Sequence, residues 1–155
     1  MTGRIDAKLK DLGIALPKAA APVANYVPYV VSGNLVFISG QVTVGPSGLE
    51  FVGFVGKDFS VEQGQAAAKL CALNLIAQLR EACGGDLDRV KRCVKLTGFV
   101  NAIPGFTQHP EVINGASDLM VQVFGDAGKH ARAAVGAGSL PRNVAVEVDA
   151  VFEIA

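Results

Sequence analysis

Arg132 and Glu147 are the two side chains in this sequence whose type and setting are hardest to explain as packing. Arg132 is the only ionised side chain between Ala131 and Pro141, and Glu147 has valine on both sides. A charge in so apolar a run is costly to bury unless something pairs with it. A guanidinium presents two parallel N–H donors, a fork that fits a carboxylate and that lysine cannot reproduce. A carboxylate within hydrogen-bond reach of a water beside an electrophile is a general base. Three arrangements are open. The two charges satisfy each other, or they face a cleft that a charged ligand completes. In the third, Glu147 simply points to solvent beside Asp149 and Glu153, which share its strand parity.

The elements that must position this pair can be read from periodicity. Two β-rich runs, 131–137 and 143–153, flank the turn signal Gly138-Ser139-Leu140-Pro141, so a strand pair is expected. In the second run Val144, Val146, Val148, Ala150 and Phe152 alternate with Ala145, Glu147, Asp149 and Val151, the period of a half-buried strand. Upstream, Ile5, Leu9 and Leu12 have helical spacing and stop at Gly13, and 17–22 reads as an extended Ala/Pro/Lys linker. Strands are expected over 26–31 and 35–44, joined at Ser32-Gly33-Asn34, and again around 49–55 after Gly45-Pro46-Ser47-Gly48. Ser60 and Gln63 have the form of a capping box for a helix that buries Ala68, Cys71, Ala72, Leu75, Leu79 and Ala82. A strand is expected near 92–101. Pro110 then opens a second helix with Val112, Ile113, Ala116, Leu119, Met120 and Val123 inward and Gly125 at its end. The order gives an α+β domain, one mixed β-sheet packed against two helices.

These residues also carry a family resemblance. Ala131-Arg132 with Val135, Gly138 and Leu140, then Val146-Glu147-Val148, resembles the C-terminal signature of the YjgF family, the reactive-intermediate (RidA-like) deaminases, including the fifteen-residue step from arginine to glutamate. The run Gly33-Asn34-Leu35-Val36-Phe37-Ile38-Ser39-Gly40-Gln41 resembles the family's hairpin, and Tyr26 falls where the family has its tyrosine. The resemblance covers 26–155 as the family domain and leaves 1–25, a short helix and linker, as an N-terminal extension. It implies the chorismate-mutase-like fold and a homotrimer with sheets facing inward and clefts between subunits. By resemblance, Arg132 grips the carboxylate of a small 2-imino or 2-enamino acid, and Glu147 holds and polarises the water that attacks the imine carbon. Substrate-binding roles pass to Tyr26, which closes over the ligand, to Gly40 through its backbone, and to Asn114. Val27-Pro28 stands in place of the family's Ser-Gln, Ala134 in place of a frequent cysteine, and His130 in place of a common proline.

The implied function is hydrolysis of reactive enamines and imines, such as 2-aminoacrylate, to 2-keto acid and ammonia, with no cofactor. The alternatives are a non-catalytic module that binds a small acid, and an endoribonuclease or translation inhibitor. At 155 residues, with equal numbers of basic and acidic groups, fourteen of each, the chain lacks the basic footprint of a nucleic-acid binder. Half of the residues are hydrophobic and only 18% are charged, which favours burial of surface in an oligomer. No window approaches the ~20 apolar residues of a membrane span. Three cysteines without framework spacing and no secretory h-region suit a reducing cytoplasm. His109 and His130 lack ligand spacing, so no metal site is expected.

Overall fold

A computed structural model describes residues 3–21 and 24–155. Ten elements follow in order: α1 (Arg4–Asp11), β1 (Tyr29–Ser32), β2 (Leu35–Gln41), β3 (Val44–Gly45), β4 (Gly48–Leu49), α2 (Val61–Ala82), β5 (Val90–Asn101), α3 (His109–Phe124), β6 (Ala131–Ala137) and β7 (Val146–Ile154). Five strands form one sheet in the order β1-β2-β7-β5-β6, and β3 and β4 form a separate short pair. The neighbours are antiparallel except β5 and β6, which run parallel. The expected α+β architecture is the one observed, with α2 and α3 on one face of a mixed sheet.

The strand pair expected from 131–137 and 143–153 is corrected by this order. β6 and β7 are not neighbours, because β5 lies between them and bonds to both. A parallel pair needs a crossover, and α3 supplies it between β5 and β6. The Gly138–Pro141 segment is therefore not a hairpin turn. It begins a connection that passes through a 3-10 turn at Pro141–Asn143 and delivers the chain to the far side of β5. Arg142 (φ 55°) and Asn143 (φ 60°) are left-handed there, which delays the last strand to Val146.

The alternation in β7 is as expected. Val146, Val148, Ala150, Phe152 and Ile154 are buried against the helices, while Glu147, Asp149, Val151 and Glu153 are half-exposed on the opposite face. On the helical side α2 contributes Ala68, Cys71, Ala72, Leu75 and Leu79, and α3 contributes its full expected stripe. The capping box of α2 is complete: the Gln63 N–H donates to Ser60 Oγ at 3.1 Å and the Ser60 N–H to Gln63 Oε1 at 2.9 Å. The three cysteines are buried and free, and burial pushes the Cys93 thiol up to about 12.

Three further boundaries differ from expectation. The first strand begins at Tyr29, with Tyr26 outside it. The run around 49–55 pairs regularly only at Gly48–Leu49, because Phe51 (φ 51°) and Gly53 (φ 144°) interrupt it and leave single bridges at Val52 and Val55. Strand β2 ends at Gln41, its register against β7 shifting between Ile38 and Gln41, which puts Gly40 in a bulge.

The N-terminal segment is tied into the same body. Ile5 and Leu9 are 3% exposed in the common core. The backbone N–H groups of Arg4 and Ile5 each donate to Asp88 at 2.8 Å, which caps α1 from across the chain and holds the Asp88 carboxyl below its usual range. The expected linker has no regular structure through Ala21, Pro22 lying outside the described residues, and Gln78 of α2 donates to the Ala20 carbonyl at 3.1 Å.

Candidate functional site

The sheet alternation separates the two charges that opened the sequence. Arg132 lies opposite Leu96 in the β5–β6 register, and Leu96 is fully buried on the helical side. Its guanidinium reaches α3: Nη1 donates to Asn114 Oδ1 at 2.8 Å and to Ser117 Oγ at 3.1 Å. Glu147 lies opposite Phe99 on β5 and faces the other side of the sheet. Strand spacing and rise put the two Cα atoms on the order of 14 Å apart. Within one chain, then, Arg132 and Glu147 neither pair with each other nor share a cleft, which removes the first of the three arrangements open from sequence.

Around Arg132 the local structure has a clear origin. The i, i+3 spacing on α3 puts Asn114 and Ser117 one above the other, and β6 runs alongside them at the sheet edge. Both hydrogens of Nη1 are engaged, while Nε and Nη2 have no partner among the described residues. Those two groups form one edge of the guanidinium, the parallel pair that binds a carboxylate side-on. His130 joins the cluster through Ser117, its Nε2 2.8 Å from Ser117 Oγ. Asn114 was a sequence candidate for contacting the ligand, and its observed partner is Arg132. Ser117 was not a sequence candidate.

Around Glu147 the environment is different. Its carboxylate has no hydrogen-bond partner among the described residues. Burial, and then the Asp149 carboxylate, raise its pKa above the ordinary glutamate value. Burial likewise raises Asp149, opposed by Thr97 and Lys95. Gly40 belongs to this group: a Cβ there would lie 3.0 Å from Glu147 Cδ, so the missing side chain leaves the carboxylate its place. The surrounding sheet face is uncovered and partly apolar, with Val30 52%, Phe37 46% and Val135 45% exposed. Tyr26 is 61% exposed and meets Gly40 only as part of a cleft lined also by Lys18, Pro28 and Asn74. The structure thus gathers the sequence candidates into two groups, Arg132 with Asn114 on the helical side and Glu147 with Gly40 on the open side, with Tyr26 at the margin of the second. No helix is long and apolar enough to cross a membrane, and no three potential metal ligands come together among the described residues.

Comparison with known proteins places this arrangement. Residues 6–154 match the family described as "YjgF/chorismate_mutase-like, putative endoribonuclease". The match begins inside α1, so most of the segment set apart from sequence as an extension falls within it. The chain is 52% identical to Protein TCP17 of Trypanosoma cruzi over 154 residues, covering 99% of this chain and 96% of that protein. A crystal structure of a protein of unknown function from Agrobacterium tumefaciens superposes with a TM-score of 0.91 at 48% identity, over 97% of this chain and 92% of that one. A 2-iminobutanoate/2-iminopropanoate deaminase of Salmonella typhimurium is 29% identical over 138 residues, 89% of this chain and 94% of that one. On the extent of these matches and the five-stranded sheet backed by helices, the chain belongs to the YjgF/chorismate mutase-like family.

Proposed function

We propose that this protein hydrolyses small 2-imino and 2-enamino acids to 2-keto acids and ammonia, at sites built between the subunits of a homotrimer. The observation that carries the reading is the Nε–Nη2 edge of Arg132, which has no partner among the described residues and is matched to a carboxylate while Asn114 and Ser117 hold Nη1. Glu147 and Arg132 occupy opposite faces of one chain's sheet, so a site that uses both takes them from different chains. The uncovered sheet face around Phe37 and Val135 supports such packing, since an apolar face of this kind favours association. Similarity to the Salmonella deaminase supports the choice of substrate.

The chemistry asks little of the protein. Arg132 binds the substrate carboxylate and fixes the position of the adjoining C=N carbon. Glu147 of a neighbouring subunit accepts a proton from a water as its oxygen bonds to that carbon. The C=N electron pair passes to the protonated imine nitrogen, giving a neutral carbinolamine. Its amino group takes the proton back from Glu147 and leaves as ammonia as the C–N bond breaks. The hydroxyl gives its proton to Glu147, and thence to solvent, as the carbon–oxygen double bond forms. Orientation and fixed charge account for the acceleration. Gly40 keeps space beside Glu147, Asn114 steadies Arg132, and Tyr26 covers the cleft mouth. The buried free thiols are consistent with a reducing cytoplasm. The test is ammonia release from 2-aminoacrylate generated in situ. Release well above the spontaneous rate is expected. Tight binding of 2-ketobutyrate with no turnover would assign the site instead to a non-catalytic small-acid module.

A further inference from the structure

Ser117 and His130 form, with Arg132, a hydrogen-bond relay whose directions are set at its far end. His130 Nδ1 lies 2.6 Å from the Gly128 carbonyl oxygen, which can only accept, so Nδ1 carries the proton. In the neutral imidazole Nε2 is then an acceptor, and Ser117 Oγ, 2.8 Å away, donates to it. With its one hydrogen committed, the serine oxygen presents a lone pair to Arg132 Nη1 at 3.1 Å. Asn114 Oδ1 takes the other Nη1 hydrogen at 2.8 Å. The guanidinium is therefore anchored at one corner by two acceptors of defined orientation, and its remaining edge points away from α3.

We infer that Ser117 and His130 are positioning residues. They hold Arg132 in the rotation that presents its Nε–Nη2 edge to the substrate carboxylate. This rests on the reading of Arg132 as the carboxylate grip. The pair also has the outline of a serine nucleophile with its base, but Ser117 stands in the middle of α3, where backbone N–H groups are spent on helical bonds. No backbone oxyanion donor is left beside it, and a serine lone pair is committed to Arg132. Orientation is the task that the geometry supports. Because the grip is made to substrate in its ground and transition states alike, losing the relay acts on binding more than on the chemical step.

The test compares wild type, Ser117→Ala, Ser117→Thr and His130→Ala. Calorimetric titration with 2-ketobutyrate is run on all four, and kcat and KM are measured for imine hydrolysis. Nitrogen-15 NMR identifies the His130 tautomer in the wild type. Ser117→Ala and His130→Ala are expected to weaken binding and raise KM by about tenfold, with kcat changing far less. Ser117→Thr, which keeps the hydroxyl, is expected to stay within about twofold of wild type in binding. The tautomer is expected to be Nδ1–H. Undiminished binding by Ser117→Ala, or an Nε2–H tautomer, overturns the relay and leaves the hydrolase reading intact. A wild type that neither binds the keto acid nor turns over the imine sinks the reading of Arg132 itself, and the positioning role falls with it. Loss in Ser117→Thr equal to that in Ser117→Ala also counts against the relay, since it points to packing rather than to the hydroxyl.

Discussion

Arg132→Ala is expected to lower kcat/KM for imine hydrolysis by about 100-fold or more, because two charge-assisted hydrogen bonds to the substrate carboxylate are lost together. Each such bond contributes roughly 1.5–3 kcal/mol, so even the low end of the pair reaches that factor. The loss should fall mainly on KM. Arg132→Lys keeps the charge but not the planar fork, and should recover only a small part. Folding should be little affected: Arg132, Asn114 and Ser117 are only half-buried, so water can replace the bonds to Nη1. Steady-state ammonia release, with thermal unfolding as the control, checks this. Unchanged kinetics would remove Arg132 from the site.

Glu147→Gln should show the opposite kinetic signature. Removing the proton acceptor is expected to lower kcat by about 10²–10⁴ with KM nearly unchanged, since glutamine fills the same space without basicity. The carboxyl is pushed above its ordinary value of 4.5 by burial first and by Asp149 second. Only the ionised form accepts a proton, so wild-type kcat should rise with pH through that raised value and level off above it. The same shift has a consequence for stability. A carboxyl whose folded pKa exceeds its unfolded one binds protons more tightly in the folded state. Its favourable contribution is present below pH 4.5 and is lost as pH climbs from there through the raised folded value. Glu147→Gln removes that dependence, while Asp149, shifted the same way, keeps its own. The melting temperature of the variant relative to wild type should therefore increase from pH 4 to neutrality. A difference that does not vary with pH would contradict the burial of Glu147.

Local patterns carried much of the fold into view. The two-residue alternation of β7, the stripe of α3 and the Ser60–Gln63 box each depend on residues close in sequence, and each stands where its pattern put it. The order of strands depends instead on which partner β6 finds. Gly138-Ser139-Leu140-Pro141 looked like a hairpin because nothing nearby reveals that β5, some forty residues earlier, fits between β6 and β7. That single difference decides the geometry of the site. Adjacent strands would have allowed Arg132 and Glu147 to meet within one chain, whereas the observed order turns them to opposite faces. Arg132 and Glu147 were singled out through family spacing, Gly40 through the hairpin motif and Asn114 through a looser likeness. The bond of Arg132 to Asn114 and the closeness of Gly40 to Glu147 emerge only from the fold. Ser117 went unseen because a serine in mid-helix has no signature until its partner on β6 is known.

A site divided between chains makes a demand that no single-chain site shares. Arg132→Ala and Glu147→Gln proteins, each reduced to about a hundredth of wild-type activity or less when assayed at substrate well below the wild-type KM, can be mixed, unfolded and refolded together so that subunits exchange. With random assembly and each site drawing its arginine and its glutamate from different subunits, about a quarter of the sites regain both residues. Ammonia release from the mixture is expected to recover to about that fraction of the wild-type rate, normalised to refolded wild type. A mixture that refolds to the same assembly and stays as inactive as its components would contradict the shared site.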